Sequence, residues 1–348
     1  MKRKQAILLS ILILSSLLYG FTADNPYFLI TKKDVELRVP AGFPKPLYRF
    51  KDNKLKPEIF VLGRKLFYDP ILSKDSTISC ESCHQRIAAF GHFDHPLSHG
   101  INGLTGTRNV PALQNLIWKD AYMWDGRVGS LELQPINPIT NPVEMDETMP
   151  HVVQKLGLSA MYRADFEHAF GDTLISSERI LKALAQFTGL LISGDSRYDR
   201  FMQGKDTFSV NERKGLELFR AKCNDCHEEP LFTDNSYKNN GLKPDSMLDD
   251  KGRGVVTGIE KDEYTFMVPT LRNIERTYPY MHDGRFRNLA AVLNYYGDPA
   301  NFGSHAAVEM KKIGHLSEED KKCMIAFLMT LTDKTFLYDR RFLNPFMQ

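Results

Sequence analysis

Cys80-Glu81-Ser82-Cys83-His84 and Cys223-Asn224-Asp225-Cys226-His227 are the two stretches that decide how the chain is read. Each is Cys-x-x-Cys-His, the c-type haem attachment pattern. In it two thiols bond to the haem vinyl groups, and the adjacent histidine is held against the iron. One copy alone also suits a thioredoxin-like redox site or half of a zinc site. The redox site needs a βαβ context that the sequence lacks, and zinc has no need of a histidine after each pair. Two copies predict two covalently bound haem c groups, with Cys80, Cys83, Cys223 and Cys226 as attachment points and His84 and His227 as iron ligands. The fifth cysteine, Cys323, lies in an apolar stretch with Met324, Ile325 and Phe327. It reads as a buried free thiol on a core helix.

Outward from the motifs, the chain repeats itself. Gly63-Arg64-Lys65-Leu66-Phe67 precedes the first motif and Gly215-Leu216-Glu217-Leu218-Phe219 the second. Pro111-Ala112-Leu113-Gln114-Asn115 leads to Tyr122-Met123-Trp124-Asp125-Gly126-Arg127, and Pro269-Thr270-Leu271-Arg272-Asn273 leads in step to Tyr280-Met281-His282-Asp283-Gly284-Arg285. Such self-similarity implies a duplicated haem-binding unit. Ser209-Val210-Asn211-Glu212 is a capping box that opens a helix into the second motif, and Ser317-Glu318-Glu319-Asp320 opens the last clear helix similarly. Ile180, Ala183, Leu184, Phe187 and Leu191 have helical spacing and read as a core face joining the halves. The expected fold is mainly α: two cytochrome c-like haem domains in tandem, 50–205 and 206–335, with long loops of the kind that wrap a cofactor.

The bulk composition agrees. The chain has 348 residues, 42% hydrophobic and 25% charged, with a formal net charge of +2. That suits two globular domains and excludes a strongly basic nucleic-acid binder. Lys2, Arg3 and Lys4 precede an apolar run from Ala6 to Leu18, shorter than the ~20 residues of a membrane span. Residues 1–23 are therefore expected to be a signal peptide, or an uncleaved anchor because Tyr19 to Ala23 make a poor cleavage site. The expected location is the periplasm.

Set in register, the halves differ chemically. At matched distances beyond Leu289 and Leu131 stand Tyr296 and Pro138. A phenol within reach of the second iron, and a proline beside the first, would make the second haem six-coordinate and leave the first open.

With these residues in view, the chain resembles the bacterial di-haem cytochrome c peroxidase family, which includes the MauG-type enzymes. The resemblance spans about Glu58 to Leu331. It rests on Leu66-Phe67-Tyr68-Asp69-Pro70, both haem motifs, Arg108-Asn109-Val110-Pro111, Trp124-Asp125-Gly126-Arg127, Asn141-Pro142-Val143-Glu144-Met145, Val268-Pro269-Thr270-Leu271-Arg272-Asn273 and Tyr280-Met281-His282-Asp283-Gly284. It implies that Trp124 relays electrons between the haems. It implies that Gln134 and Glu144 form the distal pair over the peroxidatic first haem, with Tyr296 on the second iron. It also implies a calcium ion held by Asn109 and the carbonyls of Thr277 and Pro279. Members are often dimers. A carboxylate beside an open haem site can shuttle the proton that peroxide heterolysis requires, whereas Gln134 can only hydrogen-bond. Taken singly, Glu144 could equally be a surface carboxylate and Trp124 a core aromatic.

Two departures stand out. Where well-known peroxidase members carry a distal histidine for the first haem, this chain has Ile101, which cannot ligate. His92, His95 and His99 occupy the same loop, either as solvated loop residues or with His99 substituting by a shift of register. Where those peroxidases carry a methionine on the second haem, this chain has Tyr296, as MauG-type members do. The leading expectation is reduction of hydrogen peroxide with a small cytochrome c or cupredoxin as donor. Its alternatives are a MauG-like oxidation of a partner protein and a di-haem electron carrier. The MauG-like reading also calls for a surface aromatic relay near the second haem, and Arg220-Ala221-Lys222 before Cys223 offers no tryptophan. An open iron flanked by Gln134, Pro138 and Glu144 would be of no use to a carrier.

Mass spectrometry of the mature protein should show two haem additions that survive denaturation. Zinc, or a disulfide within either pair, would overturn this reading.

Overall fold

A computed structural model describes residues 30–303 and 305–347; the expected export segment, 1–23, lies outside the described residues. The fold is mainly helical, as the sequence predicts, with helices α1 (Pro57–Tyr68), α2 (Cys80–Cys83), α3 (Ile136–Thr140), α4 (Met149–Leu158), α5 (Ala160–Phe170), α6 (Ser177–Gly189), α7 (Arg197–Met202), α8 (Val210–Lys222), α9 (Gly254–Thr257), α10 (Leu289–Tyr296), α11 (Glu318–Met329) and α12 (Lys334–Leu337). Two short strands, β1 (Tyr237–Lys238) and β2 (Phe266–Met267), pair antiparallel, with Tyr237 opposite Met267.

Each half is built on one helix crossing. In the first, α1 packs on α6; in the second, α8 packs on α11. α1 opens with Pro57 in its first turn, α6 is capped by Ser176, and both Ser209–Glu212 and Ser317–Asp320 form the predicted capping boxes. At each crossing the repeated glycine lets two backbones touch. A Cβ on Gly63 would lie 1.9 Å from the Ala183 carbonyl oxygen, and one on Gly215 would lie 2.0 Å from that of Cys323. Cys323 is fully buried on α11 as expected, its backbone forming the floor of the second crossing. The face of α6 bearing Ile180, Ala183, Leu184 and Phe187 corrects the sequence reading. It does not join the halves but fills the first core against α1, with the Phe187 ring tilted or edge-on against Phe60, Phe67 and Phe90. α6 is the first half's counterpart of α11, and helical spacing alone could not say which partner the face would meet.

The duplication holds residue by residue. Asn115 and Asn273 both adopt left-handed backbone, as do Met123 and Met281 and Gly126 and Gly284. Tyr122 bridges Val128 as Tyr280 bridges Phe286. The Asn115 amide N–H donates to the Leu191 carbonyl and that of Asn273 to Leu331.

The halves meet through these equivalent residues. Asn115 Oδ1 accepts from the Ser193 amide at 2.9 Å, and Asn273 Oδ1 accepts from the Asp333 amide at 2.7 Å. Across the joint, Ser193 Oγ donates to Asp333 Oδ2, Asn273 Nδ2 donates to Ser193 Oγ and to Gln114 Oε1, and Gln114 Nε2 donates to the Arg272 carbonyl. The Arg272 guanidinium, wholly buried, grips Asp199 with two hydrogen bonds of 2.9 and 2.7 Å and lies over the Phe43 ring. Beyond α11 the chain returns to the first half, where Phe336, Leu337 and Phe342 enter its core.

Replacing Gly63 or Gly215 by alanine should destabilise the protein by about 1–3 kcal/mol or more, the cost of forcing a methyl into a filled contact. Gly157→Ala in α4, where a Cβ meets open space, should be neutral or stabilising by up to ~1 kcal/mol. Denaturant unfolding of the three variants checks both directions.

Candidate active site

The two attachment histidines are held alike. The tight turn after each motif places a backbone carbonyl against the ring. His84 Nδ1 lies 2.8 Å from the Phe90 carbonyl oxygen. His227 Nδ1 lies 3.2 Å from that of Phe232 and 3.1 Å from that of Pro269. A carbonyl can only accept, so Nδ1 carries the proton and Nε2 is left as the basic nitrogen. This is the arrangement that orients a metal-ligating histidine. Burial pushes His84 down to about 4 and lowers His227 as well, so both rings are neutral. No disulfide joins any of the four motif cysteines. Neutral imidazoles with committed Nδ1 atoms, beside paired thiols, fit a haem c at each motif.

A cavity of about 260 Å³ with mostly apolar walls adjoins the second motif. Cys223, Cys226 and His227 stand on its wall, with Tyr296 and Met281. Tyr296 is the last residue of α10, and its hydroxyl lies 3.8 Å from Met281 Sδ. Asn240 Nδ2 donates to the same sulfur at 3.5 Å. Burial pushes the Tyr296 phenol up, with the Asn240 hydrogen bond pulling the other way, so ionisation here calls for a cation in the cavity. The first half places no such residue in register. Pro135 and Pro138 interrupt the equivalent stretch, which forms only the short α3.

Beside the first motif the structure places Glu144. Its charge is felt by the Cys83 thiol, and its backbone carbonyl accepts the Ile101 N–H at 2.8 Å. Gly100 makes that contact possible, since a Cβ there would lie 2.5 Å from the Glu144 carbonyl oxygen. Ile101 is buried. Burial raises the Glu144 carboxyl, opposed by an Asn141 hydrogen bond and the charge of Arg127. The His92 ring lies tilted on His95 and His95 stacks on His99, with ring centroids 3.7 and 4.1 Å apart. They are not all solvated, because His92 is buried and is pushed down to about 4 by burial and by its neighbouring imidazoles, His84 among them.

Trp124 sits where the halves join. Its indole N–H donates to the Asn109 carbonyl at 2.8 Å, and its own carbonyl accepts from Met267 of β2 at 2.7 Å. The neighbouring Asp125, buried, is bound by Arg108 and Arg127, which against the effect of burial hold its carboxyl below the usual range. Arg108 also grips Asp250 with two hydrogen bonds, of 2.6 and 2.7 Å, tying the loop before Trp124 to the second half. Gln134, Trp124, Asn109, Thr277 and Pro279 all line the same cavity as the second motif. Gln134 Nε2 lies 3.8 Å from Met123 Sδ, and Asn109 Nδ2 donates to the Pro96 carbonyl at 2.9 Å. Met281, Asn240 and Lys119 also belong to this wall and were not assigned from sequence. The signal for Met281 was present, since it stands opposite Met123 in the repeat.

Residues 57–207 match the family model described as di-haem cytochrome c peroxidase, and 212–332 match that for cytochrome c. Similar curated proteins include methylamine utilization protein MauG of Methylorubrum extorquens, 34% identical, covering 89% of this chain and 87% of that protein. Cytochrome c551 peroxidase of Nitrosomonas europaea is 36% identical, covering 78% of this chain and 79% of that protein. Among solved structures, a MauG-like protein associated with microbial copper homeostasis superposes with a TM-score of 0.82 at 30% identity, covering 90% of this chain and 99% of the other. Duplicated helix crossings, two histidines presented alike, and relatives of both kinds matched over most of their length lead to one conclusion: the chain belongs to the di-haem cytochrome c peroxidase family, in which MauG and the cytochrome c peroxidases are joined.

Proposed function

We propose that the protein reduces hydrogen peroxide to water with electrons from a small redox protein, a cytochrome c or a cupredoxin. One observation carries this: beside the first motif stands a half-buried carboxyl, Glu144, whose backbone carbonyl accepts the Ile101 N–H, in a half whose register position for an iron ligand is Pro138. Haem c bound at the two motifs supplies redox-active iron. Reduction of peroxide consumes two protons with its two electrons. The Glu144 carboxylate takes a proton from one peroxide oxygen and returns it to the departing one. Trp124, fixed to both halves by its hydrogen bonds, carries electrons between them. Tyr296 and His227, both on the wall of one cavity, would hold the iron of the second haem. Asn109 Oδ1 with the Thr277 and Pro279 carbonyls would hold the calcium ion, an all-oxygen set suited to a hard cation. The apolar run after Lys4 makes the periplasm the expected site of action; among the described residues no helix is long and apolar enough to cross a membrane.

A second reading, a MauG-like oxidation of a partner protein, is favoured by Tyr296, the residue that the resemblance gives to MauG-type members. It is weakened by the surface before the second motif, where Arg220 is paired with Glu229 at 2.8 Å and no tryptophan stands. Steady-state peroxide turnover with several small donors separates the readings: brisk turnover supports the peroxidase, and none with any donor supports the alternative.

Glu144→Gln should keep both haems and lose turnover by about two to four orders of magnitude. The base must be ionised to act, so wild-type turnover should fall as pH drops through the raised Glu144 pKa. That acid limb should be missing from the residual activity of the variant. Near-normal turnover in a haem-loaded variant removes Glu144 from the mechanism.

The oxidised protein should show one high-spin and one low-spin signal by electron paramagnetic resonance. Its Soret band should change on mixing with peroxide with no donor present. Two low-spin signals, and no change until an electron is added, would mean that one of His92, His95 and His99 reaches the first iron.

A further inference from the structure

Lys119 belongs to the first half, yet its side chain lines the cavity of the second motif. Its ammonium has one polar neighbour in that wall, Met267 Sδ at 3.8 Å. The other lysines of the wall are matched: Lys238 pairs with Glu309 at 2.5 Å, and Lys222 donates to the Ile313 carbonyl at 2.5 Å. The wall's remaining carboxylate, Asp225, is taken by Lys312. Among the described residues no anion faces Lys119, and burial alone pulls it down to about 8. A lysine half-buried in an apolar wall without a counter-charge is unfavourable unless something that enters the cavity brings one. A haem c brings two propionate carboxylates, on the side of the porphyrin remote from its thioether-bonded vinyl groups. Here the two thiols, Cys223 and Cys226, stand on the second half, and the unmatched ammonium enters from the first.

We propose that Lys119 is the cationic partner of a propionate of the second haem, clasping that haem across the interface and raising its reduction potential. Reduction adds a negative charge to the haem, and a fixed cation inside a low-dielectric wall favours the state that carries it. Lys119 is thus a positioning and tuning residue that works against an anionic Tyr296 ligand. The inference rests on haem occupying the second site, whichever oxidation the enzyme performs. A protein with no haem additions by mass spectrometry would remove that premise, whereas the potentials below test Lys119 itself.

The experiment is a spectroelectrochemical titration of the purified di-haem protein as wild type, Lys119→Met, Lys119→Arg and, as a surface control, Lys311→Met. In Lys119→Met the reduction equilibrium constant of the second haem should fall roughly ten- to a hundredfold, the effect of one partly buried charge at close range. Lys119→Arg should titrate close to wild type, and Lys311→Met should not move. A second haem that titrates as wild type in Lys119→Met overturns the proposal, as does an equal fall in the Met and Arg variants. If the Met variant does not retain its second haem, Lys119→Arg decides. Full haem content with an unchanged potential supports the pairing, and loss of the haem or a lowered potential refutes it.

Discussion

Everything in this molecule depends on a small joint of three buried amides, one hydroxyl and one carboxylate: Gln114, Asn115, Asn273, Ser193 and Asp333. Each is a polar group removed from water, and leaving any one without its partner costs about 1–3 kcal/mol. Their hydrogen bonds can all be made together in one relative placement of the halves, so the joint acts as a register pin and not merely as adhesive. Hydrophobic contact alone would tolerate sliding. Trp124, Lys119 and the Arg108–Asp250 clasp each reach across the interface, and their positions are only as well defined as this joint makes them.

The halves share a frame and differ in chemistry, and the differences are confined to places where the frame does not care. Tyr296 ends a regular helix that the second core requires. In the first half, two prolines shorten that helix to α3 without disturbing the crossing of α1 on α6. The asymmetry of the cradles is therefore a matter of a few side chains around a constant scaffold. The scaffold itself is fixed by features that repeat: the touching backbones at Gly63 and Gly215, and the left-handed Asn115 and Asn273.

What the sequence made legible was what is local. The attachment motifs, the capping boxes at Ser209 and Ser317 and the duplicated Tyr-Met-x-Asp-Gly-Arg loops are short-range patterns whose physics is complete within a few residues. The face of α6 was legible as a face but not as to its partner, because helical spacing says that a side is buried and not against what. The return of Phe336 and Phe342 to the first core, the Arg272–Asp199 pair and the polar joint depend on residues far apart in the chain. Lys119 and Asn240 carry no local mark at all: a lysine after Leu116, Ile117 and Trp118 reads as the polar end of a turn until its surroundings are known. The adjoining imidazoles of His92, His95 and His99 were visible as a cluster of letters, while their contact is a product of the loop's path.

The closure of the first core by Phe336, Leu337 and Phe342 has a bearing on the order in which the molecule can be assembled. Phe90, the residue whose carbonyl fixes the His84 ring, packs directly on Phe336 and Phe342 at centroid separations of 5.9 and 6.0 Å. As the chain is made from its amino end, the first half waits for these side chains until the whole second half has been synthesised. The imidazole nearest the amino end is thus the last to receive its complete aromatic backing. Until those residues are in place, the Phe90 side of the first motif lacks its aromatic cover.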